Sequence, residues 1–489
     1  MKLSVLKIGV MSLVWLLQVG LSLTVLAEPI RTHHYQITIN DALTEAKVKM
    51  CFDGKAPEYL VVDYRRANKN LIEFPHSLKG YIEFQGRYWL TQSLQADACV
   101  NYIADISEHN HQKYRSKEST PLSFQSDNTW LWLPEKLTAT EAVEIEFKLA
   151  DKYRVSAPWQ MLDDKGHRFQ IGHYPHDWGI TIMIGDFQLV PVQLKQGGQI
   201  NIALLKQIKQ QSQLIEWVQF TAESLATYAN GFPYPQVQVI LIENNRFKKG
   251  PVPWGDVKRG GGPGIRFVVD SDKAIEAFYQ DWTATHEFAH LLLPNIEYYD
   301  IWLSEGLASY LQYLLMAQSG IISHQQAWQK LFDGFERGRL GAESVKPESL
   351  LKTVENRKKG KTADRTKRIY WSGAAYFFMA DIQLRQQTDG AMGLPELLQQ
   401  LKACCLNATV EWSGEMLASE LDRLSKTTIF SSLYEKIAQS KGFPDYLAQF
   451  NQLGIEIKQD RVHLIPHKNA KIRQAIMKEN VPLISFPDN

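Results

Sequence analysis

This chain of 489 residues has almost no net charge and few long apolar runs. Its 54 Lys and Arg residues are balanced by 53 Asp and Glu residues, so the formal net charge is only +1. Such a balance argues against a nucleic-acid partner, which requires a basic surface. After the N-terminal segment, no stretch approaches the roughly 18 consecutive apolar residues that a membrane-spanning helix needs. We therefore expect a soluble mature chain, with neither a nucleic acid nor a membrane as a stable partner.

Cysteine is also scarce, with four residues at Cys51, Cys99, Cys404 and Cys405. None of them has the spacing to a histidine that a thiolate metal site requires. In an oxidising compartment Cys51 and Cys99 could form a disulfide, although two small buried thiols fit the pattern equally well. Because a bond between adjacent cysteines is strained, we expect Cys404 and Cys405 to be free or separately buried thiols.

A phosphate-binding loop has little support. The glycine run at 260–264 could cradle phosphates, but Pro263 interrupts it and no Gly-Lys-Ser/Thr follows. A nucleotide cofactor is therefore not predicted.

The N-terminal segment has the pattern of an export signal. Lys2 and Lys7 precede an apolar run at 8–25, and small residues occupy the positions that direct cleavage after Ala27. We predict a signal peptide at 1–27 and an exported protein, periplasmic or secreted. The run is nearly long enough to span a bilayer, so an uncleaved membrane anchor is the alternative.

The chemistry of the chain centres on the motif H-E-F-A-H at 286–290. Residues four apart on a helix lie on the same face, so His286 and His290 can bind one metal ion. Glu287 lies beside them and can take a proton from a zinc-bound water as a general base. A catalytic zinc site needs a third protein ligand and an open position. Glu305 can supply that ligand, because apolar residues at helical spacing place it on a second helix.

The motif at 286–290, followed by W-L-S-E-G-L-A-S at 302–309, resembles the gluzincin zinc peptidases, the clan of aminopeptidase N and glycyl aminopeptidase. The sequence Y-W-S-G at 370–373 is similar to the Y-x-K-G of that clan, whose tyrosine stabilises the oxyanion. The resemblance implies one zinc ion per chain and these site residues: the metal ligands His286, His290 and Glu305, and the catalytic residues Glu287 and Tyr370.

Three departures from the clan's pattern bear on function. The connection that leads to Glu305 is shorter, and Ser372 replaces the lysine of Y-x-K-G. The glycine segments before the zinc motif also lack the glutamate of G-x-M-E-N, which binds the free amino terminus of the substrate. An acidic residue from elsewhere, such as Asp256, Asp270 or Asp272, could replace it. Removal of single N-terminal residues and internal cleavage of unfolded proteins therefore both stay open.

A basic segment precedes Tyr370. The stretches 357–361 and 365–368 hold seven basic residues, with Asp364 as the one acid between them. This charge could attract an acidic peptide or its carboxylate, but we favour a solvated mobile loop. Because Tyr370 opens an apolar helix, a buried core tyrosine is the alternative to its catalytic role.

Short alternating runs from 31 to 194 predict strands, and the chain after 320 predicts helices. The predicted fold class is multidomain α+β, with an N-terminal β-sandwich or saddle, a thermolysin-like zinc peptidase domain and a helical C-terminal part. The predicted limits are 1–27 for the signal peptide, 28–198 for the β-rich domain, 199–320 for the catalytic domain, 321–457 for the helical part and 458–489 for a C-terminal tail.

These patterns together predict an exported zinc metallopeptidase that hydrolyses a peptide or unfolded protein with a glutamate general base and a zinc-activated water. One alternative is an endopeptidase rather than an aminopeptidase. The other is a non-catalytic secreted protein that binds peptides and retains the fold.

Overall fold

The structure, a computed structural model, describes residues 31–62, 65–107, 122–125, 128–173, 175, 178–244, 250–360 and 362–478. The predicted signal or anchor segment and the histidine-containing loop at 108–111 lie outside these residues. Buried side chains form two hydrophobic cores, one drawn from residues 35–184 and the other from residues 183–477. The first core lies among β-sheets, and the second lies between a sheet and a layer of helices.

Strands of the first part alternate buried and exposed side chains, as sheets with one face on a core do. In the first strand, for example, Tyr35, Ile37 and Ile39 are buried. The strands are β1 (Arg31–Ile39), β2 (Glu45–Cys51), β3 (Tyr59–Val61), β4 (Leu71–His76), β5 (Glu83–Gln85), β6 (Tyr88–Leu90), β7 (Cys99–Asp105), β8 (Leu122–Gln125), β9 (Leu133–Pro134), β10 (Glu141–Lys148), β11 (Arg154–Ser156), β12 (Gln160–Met161), β13 (Arg168–Ile171) and β14 (Ile182–Gly185). They form sheets in the orders β12-β13-β10-β1-β2-β7-β4, β5-β6-β3-β9 and β11-β14-β8.

A disulfide joins the neighbouring strands β2 and β7. Cys51 and Cys99 are directly opposed in this antiparallel ladder and are bonded to each other, so the bridged alternative is the one the structure adopts. The bond closes a loop between residues 48 apart in sequence. A loop of that length restricts the unfolded chain enough to stabilise the fold by about 4 kcal/mol.

The second part begins with a five-stranded sheet in the order β15-β16-β17-β19-β18. Its strands are β15 (Phe187–Gln193), β16 (Gln199–Leu205), β17 (Gln236–Glu243), β18 (Trp254–Lys258) and β19 (Gly264–Val269). The inner three strands run parallel and are almost wholly buried, as parallel strands covered on both faces are. Strand β18 runs antiparallel to β19 and forms one edge of the sheet. Because β15 pairs with β16, residues on both sides of the predicted limit at 198 share this sheet.

Helices cover this sheet and continue to the end of the described chain. They are α1 (Gln211–Tyr228), α2 (Ile275–Gln280), α3 (Thr283–Ala289), α4 (Ile301–Gln318), α5 (His324–Glu343), α6 (Leu350–Lys359), α7 (Ala363–Gln387), α8 (Leu394–Cys405), α9 (Gly414–Ser425), α10 (Ile429–Ala438), α11 (Leu447–Gln452) and α12 (Ala470–Ile476). The long helices α4 and α7 are buried along most of their length and pack against each other. None of the described helices combines the length and the apolar character needed to cross a bilayer. The mixed α+β class predicted from the sequence is confirmed.

The C-terminal region corrects one expectation. Cys404 and Cys405 are bonded to each other and are not separate thiols. They are the last two residues of α8, where no following helical turn holds the backbone, so their side chains can converge. Beyond the helices, β20 (Ile455–Lys458) pairs with β21 (Arg461–Leu464), and α12 buries Ile476. The predicted tail is therefore folded as far as residue 478.

Candidate active site

A short helix and the turn after it carry the two histidines of the metal motif. Helix α3 begins where Asp281 Oδ1 accepts a hydrogen bond from the backbone N–H of Thr283 at 2.8 Å. His286 and Glu287 lie in α3, and His290 opens the single 3-10 turn that follows. Apolar side chains fix the other face of this segment in the core: Phe288, Ala289, Leu291 and Leu292.

Helices α4 and α7 cross at a pair of glycines, and this crossing brings Glu305 close to Tyr370. A Cβ atom added to Gly373 would lie 2.7 Å from the Cα of Gly306 and would overlap the carbonyl oxygen of Trp302 even more closely. Real Cβ atoms essentially never lie under 3.0 Å from a neighbour. Gly306, which follows Glu305, and Gly373, which ends the motif of Tyr370, therefore set the distance between the helices.

Three side chains converge on one point. The Nε2 atoms of His286 and His290 lie 3.3 Å and 3.6 Å from Oε2 of Glu305. One donor atom from each of the three residues lies within 4.8 Å of the other two. The structure thus brings the three predicted metal ligands together as a group that could hold one ion.

Hydrogen bonds on the far side of each imidazole fix its orientation. Nδ1 of His286 bonds to Oε1 of Gln312 at 2.9 Å, and Nδ1 of His290 bonds to Oγ of Ser304 at 3.0 Å. With Nδ1 engaged, the lone pair of Nε2 is directed at the common point, as metal-binding histidines require. The sequence analysis missed both partners. A signal existed for Gln312, because it follows Glu305 by seven positions and so lies on the same face of α4.

The charges of the group fit a zinc ion. Burial lowers the pKa of His290 to about 3, which keeps its imidazole neutral. Burial alone raises the pKa of Glu305, but hydrogen bonding to His286 and the other effects of the two imidazoles outweigh it and bring the pKa to about 2. Burial lowers the pKa of His286, but its hydrogen bond to Glu305 and the charge of Glu287 outweigh burial and raise it, so this imidazole would release a proton on binding a metal ion. Two imidazoles and an ionised carboxylate are a donor set typical of catalytic zinc. A second cluster, Cys404 and Cys405 with Glu420, has its sulfurs bonded to each other and offers no thiolate.

Glu287 lies against strand β18. A Cβ atom on Gly255 would lie 2.6 Å from Cγ of Glu287, so the glycine makes room for this carboxylate. Burial, with smaller contributions from the neighbouring Glu305 and Asp256 and against the opposing effect of His286, raises the pKa of Glu287 to about 8. A carboxyl group with a raised pKa beside a metal site is suited to accept and release a proton.

The candidate site opens into a cleft of about 680 Å³. Edge strand β18 forms one wall, and Trp254 and Gly255 line the cleft together with the residues of the metal group. The side chains of β18 are all partly exposed, unlike those of the buried inner strands. This edge is therefore available for hydrogen bonding to an extended chain within the cleft.

Tyr370 lines this cleft and is not a core residue. Its ring stacks on the imidazole of His286 with centroids 6.2 Å apart, and its hydroxyl donates a hydrogen bond to Glu305. The guanidinium of Arg357 lies 5.9 Å from the centre of the same ring. Arg357 and Arg368 are 8% and 0% exposed, so the solvated-loop interpretation of the basic segment is wrong for both. Helices α6 and α7 carry them inward, which charge counting along the sequence could not reveal.

The acidic residues proposed to bind a substrate amine have different environments. Asp256 lines the cleft, but both of its oxygens accept hydrogen bonds from Arg266 at 2.9 Å. Asp270 and Asp272 are not among the residues that line the cleft. Asp281, which the sequence analysis missed, does line it, and no cation pairs with it within the described part of the chain.

Comparison with solved structures identifies a similar fold. A crystal structure of an aminopeptidase N family protein from Idiomarina loihiensis matches with a TM-score of 0.62 over 87% of this chain and 79% of that one. The two sequences are only 14% identical, so the match shows the fold alone. Neither a protein-family model nor a curated protein matches the sequence. The likeness to aminopeptidase N expected from the motifs is thus confirmed at the level of fold.

Proposed function

We propose that the protein is an exported zinc metallopeptidase. The observation that carries the proposal is the convergence of His286, His290 and Glu305, with Glu287 beside them in an open cleft. Support for the reaction class comes from the aminopeptidase N-like fold. Support for export comes from the N-terminal pattern and from the two disulfides, which persist in oxidising compartments.

The roles of the side chains follow from their positions. A zinc ion held by the three ligands would supply Lewis acidity toward the scissile carbonyl. Glu287 accepts a proton from the attacking water and passes it to the leaving amine. The hydroxyl of Tyr370 donates a hydrogen bond to the developing oxyanion, a contact worth about 3 kcal/mol in comparable sites. Gln312 and Ser304 hold the imidazoles in place throughout.

Substrate orientation follows from the edge of the sheet. An extended peptide that pairs with β18 would run along the cleft and pass Glu287, which lies against Gly255. Backbone pairing gives affinity without demanding a particular sequence. The proposed substrates are therefore peptides or unfolded proteins.

Two modes of cleavage are distinguished by what binds the amino terminus. Asp281 offers a carboxylate at the cleft that pairs with no cation among the described residues, which supports an aminopeptidase. An endopeptidase is the second candidate, favoured by the pairing of Asp256 with Arg266 and by the missing motif glutamate. A library of peptides, half of them N-terminally acetylated, distinguishes the two when products are identified by mass spectrometry. Stepwise loss of residues from free amino termini indicates the first, and internal cuts in blocked peptides indicate the second.

Replacement of Glu287 tests the mechanism itself. Glu287→Gln should retain zinc and lose turnover by about 10²–10⁴-fold, the contribution that a general base makes. Glu276→Gln, on the exposed surface of α2, is the matched control and should leave activity unchanged. Full activity in Glu287→Gln would refute the assigned role. A wild-type protein that binds peptides but shows no chelator-sensitive cleavage would instead be the non-catalytic binding protein.

A further inference from the structure

Arg357 is a buried cation whose charge is paired with no anion in the described part of the chain. It lies near the end of α6, it is 8% exposed, and its Nε atom is buried without a hydrogen-bond partner. Within the described ranges, its guanidinium forms neither an ion pair nor a hydrogen bond. The nearby cations differ: Arg368 donates to Thr353 and to two backbone carbonyls, and Lys359 pairs with Glu355 at 3.0 Å.

The position of this charge relates it to the cleft. The guanidinium lies over the ring of Tyr370, which lines the cleft and also stacks on the imidazole of His286. A cation–π contact at 5.9 Å offsets only part of the cost of burying an unpaired charge. A buried cation normally has an anion beside it, so the environment of Arg357 is incomplete without a ligand.

Arg357 is reached through Tyr370 and is not itself among the residues that line the cleft, and the nearby arginines Arg259 and Arg266 are already engaged. Arg266 is bound to both oxygens of Asp256, and Arg259 donates to the carbonyl oxygens of His290 and Leu293. Arg357 is therefore the cation near the metal group that remains able to bind an incoming anion, as far as the described residues show. A guanidinium is suited to a carboxylate, because its planar N–H groups match the two oxygens.

We propose that Arg357 forms a carboxylate-binding subsite beside Tyr370, so that the cleft prefers peptides with a carboxylate near the scissile bond. This inference rests on the proposed peptidase function. The carboxylate has two sources, the C-terminus of a short peptide or the side chain of Asp or Glu. Both present the same group, and matched peptides separate them.

The test uses one peptide sequence in four forms, with a C-terminal acid or amide and with Glu or Gln beside the scissile bond. We measure kcat/KM for the wild type, Arg357→Gln, Arg357→Lys and Lys359→Gln. The wild type should favour one carboxylate form over its neutral partner by about 10- to 100-fold, as a charge-assisted contact does. Arg357→Gln should lose that preference and process neutral peptides within about threefold of the wild type. Arg357→Lys should recover part of it.

The exposed Lys359 controls for general charge attraction, because its removal takes the same charge from the same helix. If Lys359→Gln and Arg357→Gln lost the preference for the carboxylate peptide equally, the subsite would be overturned. It would also be overturned if Arg357→Gln lowered kcat/KM equally for neutral and acidic peptides. The latter would show that Arg357 only supports the ring of Tyr370.

A binding measurement separates this inference from the proposed function. In the Glu287→Gln variant, titration of the acid and amide peptides is followed by isothermal titration calorimetry. The acid peptide should bind more tightly than the amide peptide, and this difference should disappear when Arg357→Gln is combined with Glu287→Gln. That result supports the subsite even if the wild type cleaves neither peptide. Cleavage by the wild type with no dependence on Arg357 in either assay supports the peptidase and removes the subsite.

Discussion

The crossing of α4 and α7 makes Gly373 a position where one methyl group should disable the site. In Gly373→Ala the new Cβ would overlap the carbonyl oxygen of Trp302 and would also lie 2.7 Å from the Cα of Gly306, so it would be at least roughly 1 Å inside the usual contact distance. Backbone atoms of α4 provide that contact, so no side chain can rotate away. The helices must separate by about that amount, which takes Tyr370 away from Glu305.

Both stability and activity should respond. Overpacking of this kind costs about 1–3 kcal/mol, and the better helix propensity of alanine returns about 1 kcal/mol of it. A displacement of 1 Å at a reacting centre can reduce the rate by about 10²-fold. We therefore expect a modest decrease in the melting temperature and a much larger loss of kcat, measured by calorimetry and by peptide hydrolysis.

The control for this change is Gly360→Ala. Gly360 has an extended backbone, and no atom of the described residues lies within 4 Å of the Cβ it would acquire. This variant should keep both activity and melting temperature. Wild-type activity in Gly373→Ala would show that the two helices do not set the position of Tyr370, and the reasoning would fail.

Three further changes test other parts of the structure. Gln312→Leu removes the hydrogen bond to His286 and should weaken zinc binding about 10- to 100-fold in a chelator competition. Burial and then Arg31 lower the pKa of His33 to about 4, so the unfolded chain takes up a proton that the folded chain excludes. Denaturant titrations should show that the free energy of unfolding falls by about 3 kcal/mol at most as the pH is lowered from 6.5 to 4. The His33→Asn variant should lack this decrease. Asp381→Ala leaves Arg385 buried without its partner and should cost about 3–5 kcal/mol of stability in denaturant unfolding.

Each of these predictions has a distinct contrary outcome. Unchanged zinc affinity in Gln312→Leu would mean that the helix alone orients the imidazole. The same acid sensitivity in His33→Asn would assign the loss to other groups. For the third change, Asp364→Ala removes a partly exposed acid that pairs with Lys367, and it should cost less than about 1 kcal/mol. Equal destabilisation by the two aspartate changes would show that burial is not the cause.

The parts of the site that sequence could predict depend on local spacing. His286 and His290 share a face because they are four residues apart on one helix, and that geometry holds wherever the helix packs. Glu305 and Tyr370 required the resemblance to a clan, because nothing local relates residues so far apart. The structure brings all four near one another through a helix crossing, and the motif glycines make that crossing close.

Other features depended on tertiary packing and left no reliable trace in the sequence. Arg357 reads as one of several lysines and arginines, and only the docking of α6 on α7 buries it. The bond between Cys404 and Cys405 depends on where α8 ends. Asp281 was missed because its position in the lining of the cleft depends on tertiary packing. The mixed α+β class was predictable, since alternating strands and later helical runs are separate in the sequence.

Strand β18 has a consequence for how the protein behaves at high concentration. A sheet edge that must stay open to substrate is equally open to the edge of another copy. Pro251 and Pro253 lie just before it and cannot donate backbone hydrogen bonds, so pairing is confined to Trp254–Lys258, about 17 Å of strand. Such a short edge limits fibrous aggregation. Any two copies that did join through it would cover both clefts, so self-association there and catalytic activity exclude each other.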